Sequence, residues 1–314
     1  MRRAILIANP IAGRSRHGLT RARCVAVMAE LGLEADVLET TGPNQVARLV
    51  ADYGRNDFEL LVAAGGAGTV REVAETASWL DLPVAIIPLG TSNSVARELG
   101  IPGRPAEAAR VAATGRPRRV DMAETSGRRF LLCLGVGFDA EVVTRVHASR
   151  RRGIHMAAYV PAGLGALFGY TFPPIEVNVD GVAAPAGAVQ VVVSNTRTWG
   201  GPFVLARDAR IDDGWLDVCL FYGGRLSLAV QALRAALKRP LAVRPDRSGA
   251  SGAVVLRARE VFIPGPPSAP VEMDGDPGPT LPLHLKVLPG AVRVIAPAEA
   301  GNAGPGAQPA TPAS

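Results

Sequence analysis

The sequence has very little lysine, few aromatic residues and only three cysteines. Of its 34 basic residues, Lys238 and Lys286 are the only lysines, and the rest are arginines. Aromatic residues make up 5% of the chain and are not interleaved with basic clusters, which argues against a surface for single-stranded nucleic acid. We therefore expect no nucleic-acid partner. The arginine-rich excess of six positive charges favours bidentate phosphate contacts, unless it reflects a biased genome.

The cysteines and the apolar runs indicate the cellular compartment of the protein. Cys24, Cys133 and Cys219 are odd in number, far apart and without a CxxC pair, which fits reduced thiols rather than a disulfide framework or a zinc site. The apolar run after Met1-Arg2-Arg3 is too short for a signal peptide. Met156–Tyr170 is about one turn too short to span a bilayer. We therefore predict a cytoplasmic protein.

A basic cluster, Arg150-Arg151-Arg152, precedes that apolar stretch. A basic cluster beside a modest apolar patch can dock on an anionic lipid surface. The alternative is a core helix with a solvated basic start, and composition does not favour either interpretation.

The N-terminal part alternates short apolar strands with helical patterns, which indicates a parallel α/β sheet covered on both faces. The predicted strands are Ala4–Ala8, Ala35–Glu39, Leu60–Ala64 and Val84–Ile87. The predicted helices are Leu19–Leu31, Asn44–Gly54, Thr69–Trp79, Ser94–Gly100 and Ala106–Thr114. Ligands of such sheets bind at the carboxyl ends of the strands, where the loops Asn9–Arg14, Gly65–Thr69 and Gly90–Asn93 are expected.

After about Arg118 the pattern changes to short strands separated by Gly, Pro and Asp, which predicts a mostly antiparallel second domain. The strands expected there are Phe130–Val136, Ile175–Val179, Val189–Ser194, Trp215–Phe221, Ala253–Ile263 and Leu283–Val287. A helix is predicted over Ser227–Leu237 and a polar loop over Arg244–Ser251. The tail from Ala298 is rich in Ala, Pro and Gly and is predicted to be disordered.

The stretch Leu60–Glu72 joins a buried strand to a helix through three glycines. Gly65, Gly66 and Gly68 allow close backbone approach to an anion at the helix N-terminus, although plain tight turns have the same composition. Thr69 and Glu72 are spaced as a capping box, which predicts a helix start at Thr69. The loop is neither a Walker A motif nor a G-x-G-x-x-G fingerprint, so a Rossmann oxidoreductase is disfavoured.

Six ordered motifs together resemble the diacylglycerol kinase catalytic-domain family of bacterial lipid kinases, which also includes sphingosine and ceramide kinases. The motifs are Asn9-Pro10-x-x-Gly13, Gly65-Gly66-x-Gly68-Thr69-x-x-Glu72, Pro88-Leu89-Gly90-Thr91-x-Asn93-x-x-Ala96-Arg97, Gly135-Val136-Gly137-Phe138-Asp139-Ala140, Asp212-Asp213-Gly214-Trp215-Leu216 and Met273-Asp274-Gly275-Asp276-Pro277. The resemblance covers residues 4–296.

The resemblance implies an N-terminal α/β nucleotide domain (1–118, joined by a returning strand at 288–297) and a C-terminal β-sandwich lipid domain (119–287). The tail, 298–314, lies outside both. ATP would bind in the cleft between the domains, with Mg²⁺, and a lipid would be phosphorylated at the membrane surface. A homodimer is one alternative for the assembly.

The resemblance also assigns residues. Nucleotide contacts would fall on Asn9, Thr41, Gly65, Gly66, Ala67, Gly68, Thr69, Val70, Arg71 and Thr91. A structural Mg²⁺ would be held by the Asp213 carboxylate with main-chain oxygens of Arg210 and Trp215; an Asp-Asp-Gly hairpin turn is the alternative. Asp274 would be the general base, in a motif where Asp276 replaces the usual Glu. On charge grounds Arg14, Arg16, Arg71 and Arg97 are candidate phosphate ligands, or plain surface arginines.

Ala67 departs from the family pattern, since it stands where Gly-Gly-Asp-Gly-Thr has Asp. Loss of that carboxylate leaves two leading hypotheses: an ATP-dependent lipid kinase, and a catalytically impaired pseudokinase that binds nucleotide or lipid in a regulatory role. Asp121, Asp139 and Asp274 are candidates to replace the carboxylate in part. An NAD kinase is a third hypothesis, less favoured because the motifs at 88–97 and 273–277 fit lipid kinases better.

Overall fold

A computed structural model describes residues 2–10, 17–54, 56–90, 92–148, 158–199, 203–236 and 252–298. The N-terminal elements are β1 (Arg2–Ala8), α1 (His17–Glu30), β2 (Leu33–Glu39), α2 (Val46–Val50), β3 (Leu60–Gly65), α3 (Ala67–Leu80), β4 (Pro83–Pro88), α4 (Ser94–Glu98) and α5 (Pro105–Thr114). The middle elements are β5 (Arg116–Thr125), β6 (Arg128–Phe130), β7 (Cys133–Gly137), α6 (Phe138–Ala148), α7 (Tyr159–Gly169), β8 (Asn178–Val179), β9 (Val182–Ala183), β10 (Ala188–Ser194), β11 (Thr198–Trp199) and β12 (Phe203–Val204). The C-terminal elements are β13 (Leu216–Tyr222), α8 (Arg225–Ala236), β14 (Gly252–Ala258), β15 (Glu260–Ile263), β16 (Val271–Met273), β17 (Asp276–Pro277) and β18 (Leu283–Ala296).

The first sheet begins with four parallel strands in the order β2-β1-β3-β4. Alternate residues of β1 pack on opposite faces: Leu6 lies with α1 and α5, whereas Ile5 and Ile7 lie with α3. All three side chains are fully buried, as expected for a parallel strand covered on both faces. The predicted α/β architecture is confirmed.

β18 joins this sheet to the C-terminal half. Its Arg293–Val294 end pairs in parallel with β4, while the strand as a whole runs antiparallel to β5 and β15. The strand predicted at 283–287 and the returning strand predicted at 288–297 are therefore one, with a register shift between Leu288 and Val292. The domain boundaries at residues 118 and 288 stay predictions. Strand β5 runs through the first boundary and β18 through the second, and the two strands pair with each other.

The second sheet has six strands in the order β14-β13-β10-β7-β16-β17, and its pairs are antiparallel. It packs face to face on the β15–β18 end of the first sheet through a cluster that includes Val136, Val193, Val261 and Leu285. The predicted C-terminal β-sandwich is confirmed.

For three of the predicted elements whose bounds are wrong, hydrogen bonds explain the difference. Helix α2 stops at Val50, because the next turns close with i→i+3 bonds. The strand predicted at 130–136 is interrupted at Leu131–Leu132, whose amides bond to Asp274. The strand predicted at 253–263 is interrupted at Arg259, whose amide bonds to Asp180.

The described helices include none that combines the length and the apolar character needed to cross a bilayer. The basic cluster 150–152, the predicted polar loop 244–251 and the tail from 299 onward lie outside the described residues.

Candidate functional site

Three of the predicted loops start at the carboxyl edge of the parallel strands. Ala8, which precedes Asn9, pairs with Glu39 of β2 and Ala64 of β3, so their ends lie side by side. The amide of Thr40 donates to the Ala8 carbonyl at 2.9 Å. Asn9, Thr41 and the glycine loop therefore share one edge, whereas Thr91, Arg14 and Arg16 lie outside the described residues.

The glycine loop is shorter than the capping box predicts. Helix α3 begins at Ala67 with Gly66 as its N-cap, so the predicted start at Thr69 is wrong. The Thr69 side chain instead folds back on Gly65, where an added Cβ would lie 2.5 Å from Thr69 Oγ1. Glu72 accepts hydrogen bonds from the amides of Asn44 and Gln45 at 2.8 and 3.2 Å.

The loop after β4 presses against the glycine loop. A Cβ on Gly90 would lie 2.6 Å from Gly66 Cα, so a side chain at Gly90 cannot be accommodated without movement of the backbone. The Leu89 amide donates to the Gly65 carbonyl at 3.1 Å, and the Gly90 amide donates to Asn93 Oδ1 at 3.0 Å. The glycines thus permit a close contact between two strand-end loops.

The N-terminus of α3 offers backbone donors rather than side chains. The first N–H groups of any α-helix have no intrahelical partner, and no side chain caps this one among the described residues. The amides of Ala67, Gly68 and Thr69 therefore lie where backbone donors bind phosphate groups in other proteins, and the predicted nucleotide contacts there stay predictions. The methyl group of Ala67 adds no ligand to these donors.

Thr41 lies beside a cleft rather than in the glycine loop. Its amide donates to Gln45 Oε1 at 2.9 Å. The cleft has a volume of about 690 Å³ and is lined by Leu38, Thr41, Gln45, Arg48, Leu49, Asp52 and Tyr53. The nucleotide contact of Thr41 stays a prediction, and the cleft provides space for a ligand next to it.

Arg71 is buried, with 1% of its side chain exposed. It pairs with Glu75 at 3.1 Å, lies 3.9 Å from Glu72, and its positive charge lowers the pKa of Asp274. The guanidinium therefore points into the junction of the two sheets, where it serves as a counter-ion for carboxylates rather than as an exposed phosphate ligand. Arg97, in contrast, lies on the exposed face of α4, with Ser94 Oγ 3.5 Å away.

Asp274 anchors the hairpin between β16 and β17. Asp274 and Gly275 both have positive φ (53° and 85°), which is the geometry of a type I′ turn. The buried carboxylate accepts the amides of Leu131, Leu132 and Cys133 at 2.9, 2.8 and 3.0 Å. Desolvation raises the pKa of Asp274, while these amides and Arg71 oppose the rise.

Asp276, two residues further along the hairpin, faces the glycine loop. A Cβ added to Gly68 would lie 3.0 Å from Asp276 Oδ2, so this carboxylate stands directly over the N-terminus of α3. Its other oxygen is 3.7 Å from Nε2 of His147, which itself lies 3.1 Å from the Gly275 carbonyl oxygen. The sequence reasoning assigned no role to His147 and treated Asp276 only as a tolerated change. The Asp-Gly pair signals the turn at Asp274, but the three amides that hold the Asp274 carboxylate are more than 140 positions away and give no local signal.

Two further acids are buried behind the hairpin. Burial raises the pKa of Asp139 to about 7, in spite of a hydrogen bond from the Ala140 amide. Desolvation and the nearby Asp139 carboxylate raise the pKa of Glu272 well above its usual range. Asp139 Oδ2 has no hydrogen-bond partner among the described residues. Both side chains are almost fully buried, and Glu272 accepts the Gly275 amide at 2.8 Å.

Asp121 also lies away from the loop. Its carboxylate accepts the amides of Gly214 and Gly290 at 2.6 and 2.7 Å, so it holds the turn before β13 against β18. The three acids predicted to replace the missing carboxylate at position 67 are buried, whereas Asp276 is partly exposed and lies against Gly68 of the glycine loop.

The predicted magnesium ligands lie in the turn before β13. Asp213 Oδ1 accepts the Trp215 amide at 3.2 Å, and Oδ2 forms an ion pair with Arg257. Among the described residues, no group of three acidic, histidine or cysteine side chains is arranged to hold a metal. The donor set of Arg210, Asp213 and Trp215 does not fit a cation unless Arg257 moves away, and it stays a prediction.

Comparisons with known proteins agree with this architecture. The model of the "Diacylglycerol kinase catalytic domain" matches residues 3–125, and that of the "YegS C-terminal NAD kinase beta sandwich-like domain" matches residues 133–296. A diacylglycerol kinase of Bacillus subtilis is 26% identical over 302 residues, 95% of this chain and 98% of the relative. A probable lipid kinase, YegS-like, of Pseudomonas aeruginosa is 32% identical over 286 residues, 87% of this chain and 88% of the relative.

A solved structure of a diacylglycerol kinase from Bacillus anthracis superposes with a TM-score of 0.71 at 22% identity, covering 95% of this chain and 97% of that one. This likeness concerns the fold. Together, the two matched domains, the full-length sequence relatives and the observed α/β and β-sandwich halves show that the chain belongs to the diacylglycerol kinase family of lipid kinases.

Proposed function

We propose that this protein is an ATP-dependent lipid kinase that transfers the γ-phosphoryl group to a hydroxyl of diacylglycerol or a related lipid. It would act in the cytoplasm, peripherally on a membrane. The observation that carries the proposal is the position of the Asp276 carboxylate over the amides that begin α3. A carboxylate that would accept a proton and backbone donors that would bind phosphate thus lie next to each other in this proposal.

The anion site would hold the phosphates of ATP, supplied as its complex with a divalent cation. The amides of Ala67, Gly68 and Thr69 would donate to phosphate oxygens, and the glycines would let the backbone approach them. Mg²⁺ is the cation that we expect to accompany the nucleotide. No step is assigned to a metal at Asp213, whose carboxylate is engaged by Arg257.

In the transfer step, the lipid hydroxyl oxygen forms a bond to the γ-phosphorus as the bond from that phosphorus to the β–γ bridging oxygen breaks. The electron pair of the broken bond leaves with ADP, and the hydroxyl proton passes to a carboxylate. We assign this acceptor to Asp276, which is partly exposed and faces the anion site. Asp274 was expected in this role, but its oxygens already accept three amides, so we assign it to holding the hairpin.

The proposal is tested by transfer of labelled phosphate from ATP to a panel of acceptors that includes diacylglycerol, other lipid alcohols and NAD. The expected result is a phosphorylated lipid from the native chain and none from NAD. A labelled NAD product would favour the nucleotide-kinase alternative. No transfer by the native chain, with transfer gained in Ala67→Asp, would overturn the proposal in favour of an impaired enzyme.

Ala67 itself favours a second candidate, a pseudokinase that binds nucleotide or lipid without turnover. The amide site of α3 does not depend on the side chain at position 67, so binding can persist where chemistry has been lost. This candidate predicts saturable ATP binding by calorimetry without phosphate transfer. It is excluded if neither ATP nor lipid binds.

A further inference from the structure

The turn that leads into β13 brings three carboxylates together where the two sheets meet. Asp212 and Asp213 belong to the turn, and Asp121 reaches it from β5 of the first sheet. We call these three residues the turn acids. Hard cations such as Mg²⁺ and Ca²⁺ bind oxygen ligands, so a structural cation would be expected at such a turn. The Asp121 oxygens, however, accept the amides of Gly214 and Gly290 at 2.6 and 2.7 Å.

Both oxygens of Asp212 are paired with arginines. Its Oδ2 lies 2.6 Å from Nη2 of Arg118, and its Oδ1 lies 3.4 Å from Nε of Arg210. Arg118 belongs to β5 and Arg210 precedes the turn, so the two guanidinium groups reach Asp212 from different elements. A cation at this acid would have to compete with both positive charges for the same oxygens.

Arg257 engages Asp213, the acid expected to hold the cation. Its Nη2 lies 2.5 Å from Asp213 Oδ2, while Oδ1 of the same carboxylate accepts the Trp215 amide at 3.2 Å. Arg257 lies on β14 directly opposite Asp217 of the neighbouring strand β13. The ladder between these two strands therefore fixes the position from which the guanidinium reaches the turn.

The Trp215 ring packs against two guanidinium groups. Arg257 and Arg259 are two residues apart on β14, so their side chains lie on one face of the sheet. Their Cζ atoms are 5.2 and 4.6 Å from the centre of the Trp215 ring. A guanidinium over an indole face is attracted by the negative charge of the ring face. Positive charge is thus held at the turn by the protein itself, and it would repel a divalent cation.

We infer that the Arg257 guanidinium takes the place of a structural cation at the turn acids, so that the fold of this chain requires no bound Mg²⁺ or Ca²⁺. The donor set expected from Arg210, Asp213 and Trp215 disagrees with the structure, because its one carboxylate is already paired with a guanidinium. The planar N–H groups of arginine match a carboxylate and supply positive charge without a metal. The inference concerns stability, so it is independent of the proposed kinase activity and of the cation that accompanies ATP.

The test is thermal unfolding of the full chain without nucleotide, after treatment with EDTA and then in MgCl₂, CaCl₂ or NaCl of equal ionic strength. The variants are Arg257→Ala, which removes the guanidinium, and Arg257→Lys, which keeps a positive charge. Arg259→Ala is the matched control. It removes a guanidinium from the same strand and the same tryptophan, but it leaves the ion pair to Asp213 in place.

We expect the Tm of the native chain to change by less than about 0.5 °C between EDTA and either divalent cation, whereas a structural cation at about 100 times its Kd would raise it by several degrees. In EDTA, Arg257→Ala should melt about 3 °C below the native chain, because Asp213 and Trp215 lose their partner. Mg²⁺ or Ca²⁺ should restore at least about half of this loss, because the freed carboxylate lies beside main-chain oxygens that suit a hard cation. Arg257→Lys and Arg259→Ala should show no such response.

A native chain that EDTA destabilises and Mg²⁺ or Ca²⁺ restores would overturn the inference, and this measurement needs no variant that folds. An Arg257→Ala protein that is as stable as the native chain in EDTA, or that responds to neither cation, would also overturn it, because the guanidinium would then not replace a cation. Failure of the proposed kinase activity would appear in the phosphate-transfer assay and would change none of these melting temperatures.

Discussion

The two loops that face each other in the candidate site contribute different chemical groups. The glycine loop between β3 and α3 contributes backbone amides, and its shape depends on the absence of side chains at Gly65 and Gly90. The hairpin between β16 and β17 contributes carboxylates, and its shape depends on Asp274 accepting three amides. The loss of a carboxylate at Ala67 therefore leaves the first loop intact, whereas the loss of a carboxylate in the second would alter its structure.

The same contrast extends to burial. Asp121, Asp139, Asp217, Glu272 and Asp274 are all buried and all belong to the chain after α5. The parallel strands of the first sheet bury apolar side chains. Backbone geometry and buried acids can thus be perturbed separately, by substitutions in one half or the other.

Asp274→Asn should have the largest effect on stability. An amide NH₂ would replace one acceptor oxygen and face a backbone N–H, leaving buried donors unpaired. We expect a loss of about 3 kcal/mol in the free energy of unfolding, measured by denaturant titration. Asp276→Asn is the matched control, and because Asp276 is partly exposed its stability should stay within about 0.5 kcal/mol of the native value. A stable Asp274→Asn protein would contradict the anchoring role.

Gly90→Ala should break the contact between the two strand-end loops. The new Cβ would meet Gly66 Cα at 2.6 Å, so one loop must move. We expect a loss of about 2 kcal/mol in the free energy of unfolding and at least about tenfold weaker ATP binding by calorimetry. Gly103→Ala, where the added Cβ would meet nothing within 4 Å, is the control. Equal ATP affinity in the two variants would show that the contact is not needed for binding.

Asp217→Asn should reveal the pH dependence of the second sheet. Burial raises the pKa of Asp217 to about 6, above its ordinary value of 3.8. Between these two values the native state holds a proton that the unfolded state releases, so stability contributed by this group falls as pH rises through about 4 to 6. Taken in full, a rise of this size corresponds to about 3 kcal/mol, and because the carboxyl group keeps some solvent contact we expect the substitution to remove about half of that penalty, about 1.5 kcal/mol, at pH 8 and to change little at pH 4. Thermal unfolding at the two pH values measures it; an equal change at both would contradict the assignment.

Gly68→Ala should have the smallest effect. The added Cβ would lie 3.0 Å from the terminal oxygen of Asp276, which can rotate away, and alanine favours the helix over glycine by up to about 1 kcal/mol. Stability should therefore stay equal or rise slightly, while displacement of the Asp276 carboxylate lowers phosphate transfer by a few-fold. Comparison of the transfer rate with the unfolding curve checks both. A destabilised protein would mean that the hairpin cannot yield at this point.

The sequence predicted the strands and helices of the first half well, because their apolar runs and glycine boundaries are local signals. It also predicted that three loops would meet at one sheet edge. It missed the start of α3, because Glu72 has partners in the loop after β2 that no sequence spacing reveals.

In the second half, long-range hydrogen bonds determine where some strands end, and local sequence patterns do not reveal these bonds. Leu131 and Leu132 belong to an apolar run that predicts a strand. Their amides instead bond to Asp274, 143 and 142 positions away. The same contacts separate the two acids of the Asp-Gly-Asp motif, one buried as an anchor and the other facing the glycine loop. The spacing of the motif alone does not distinguish a catalytic acid from an anchoring acid.

The most direct test of the central claim is the rate of phosphate transfer to diacylglycerol by Asp276→Asn and Asp276→Glu, each with ATP binding measured beside it. If Asp276 accepts the proton, the Asn variant should lose about 10²–10⁴-fold in rate with ATP affinity retained, and the Glu variant should keep its rate within about tenfold. An Asn variant as fast as the native protein would contradict the account.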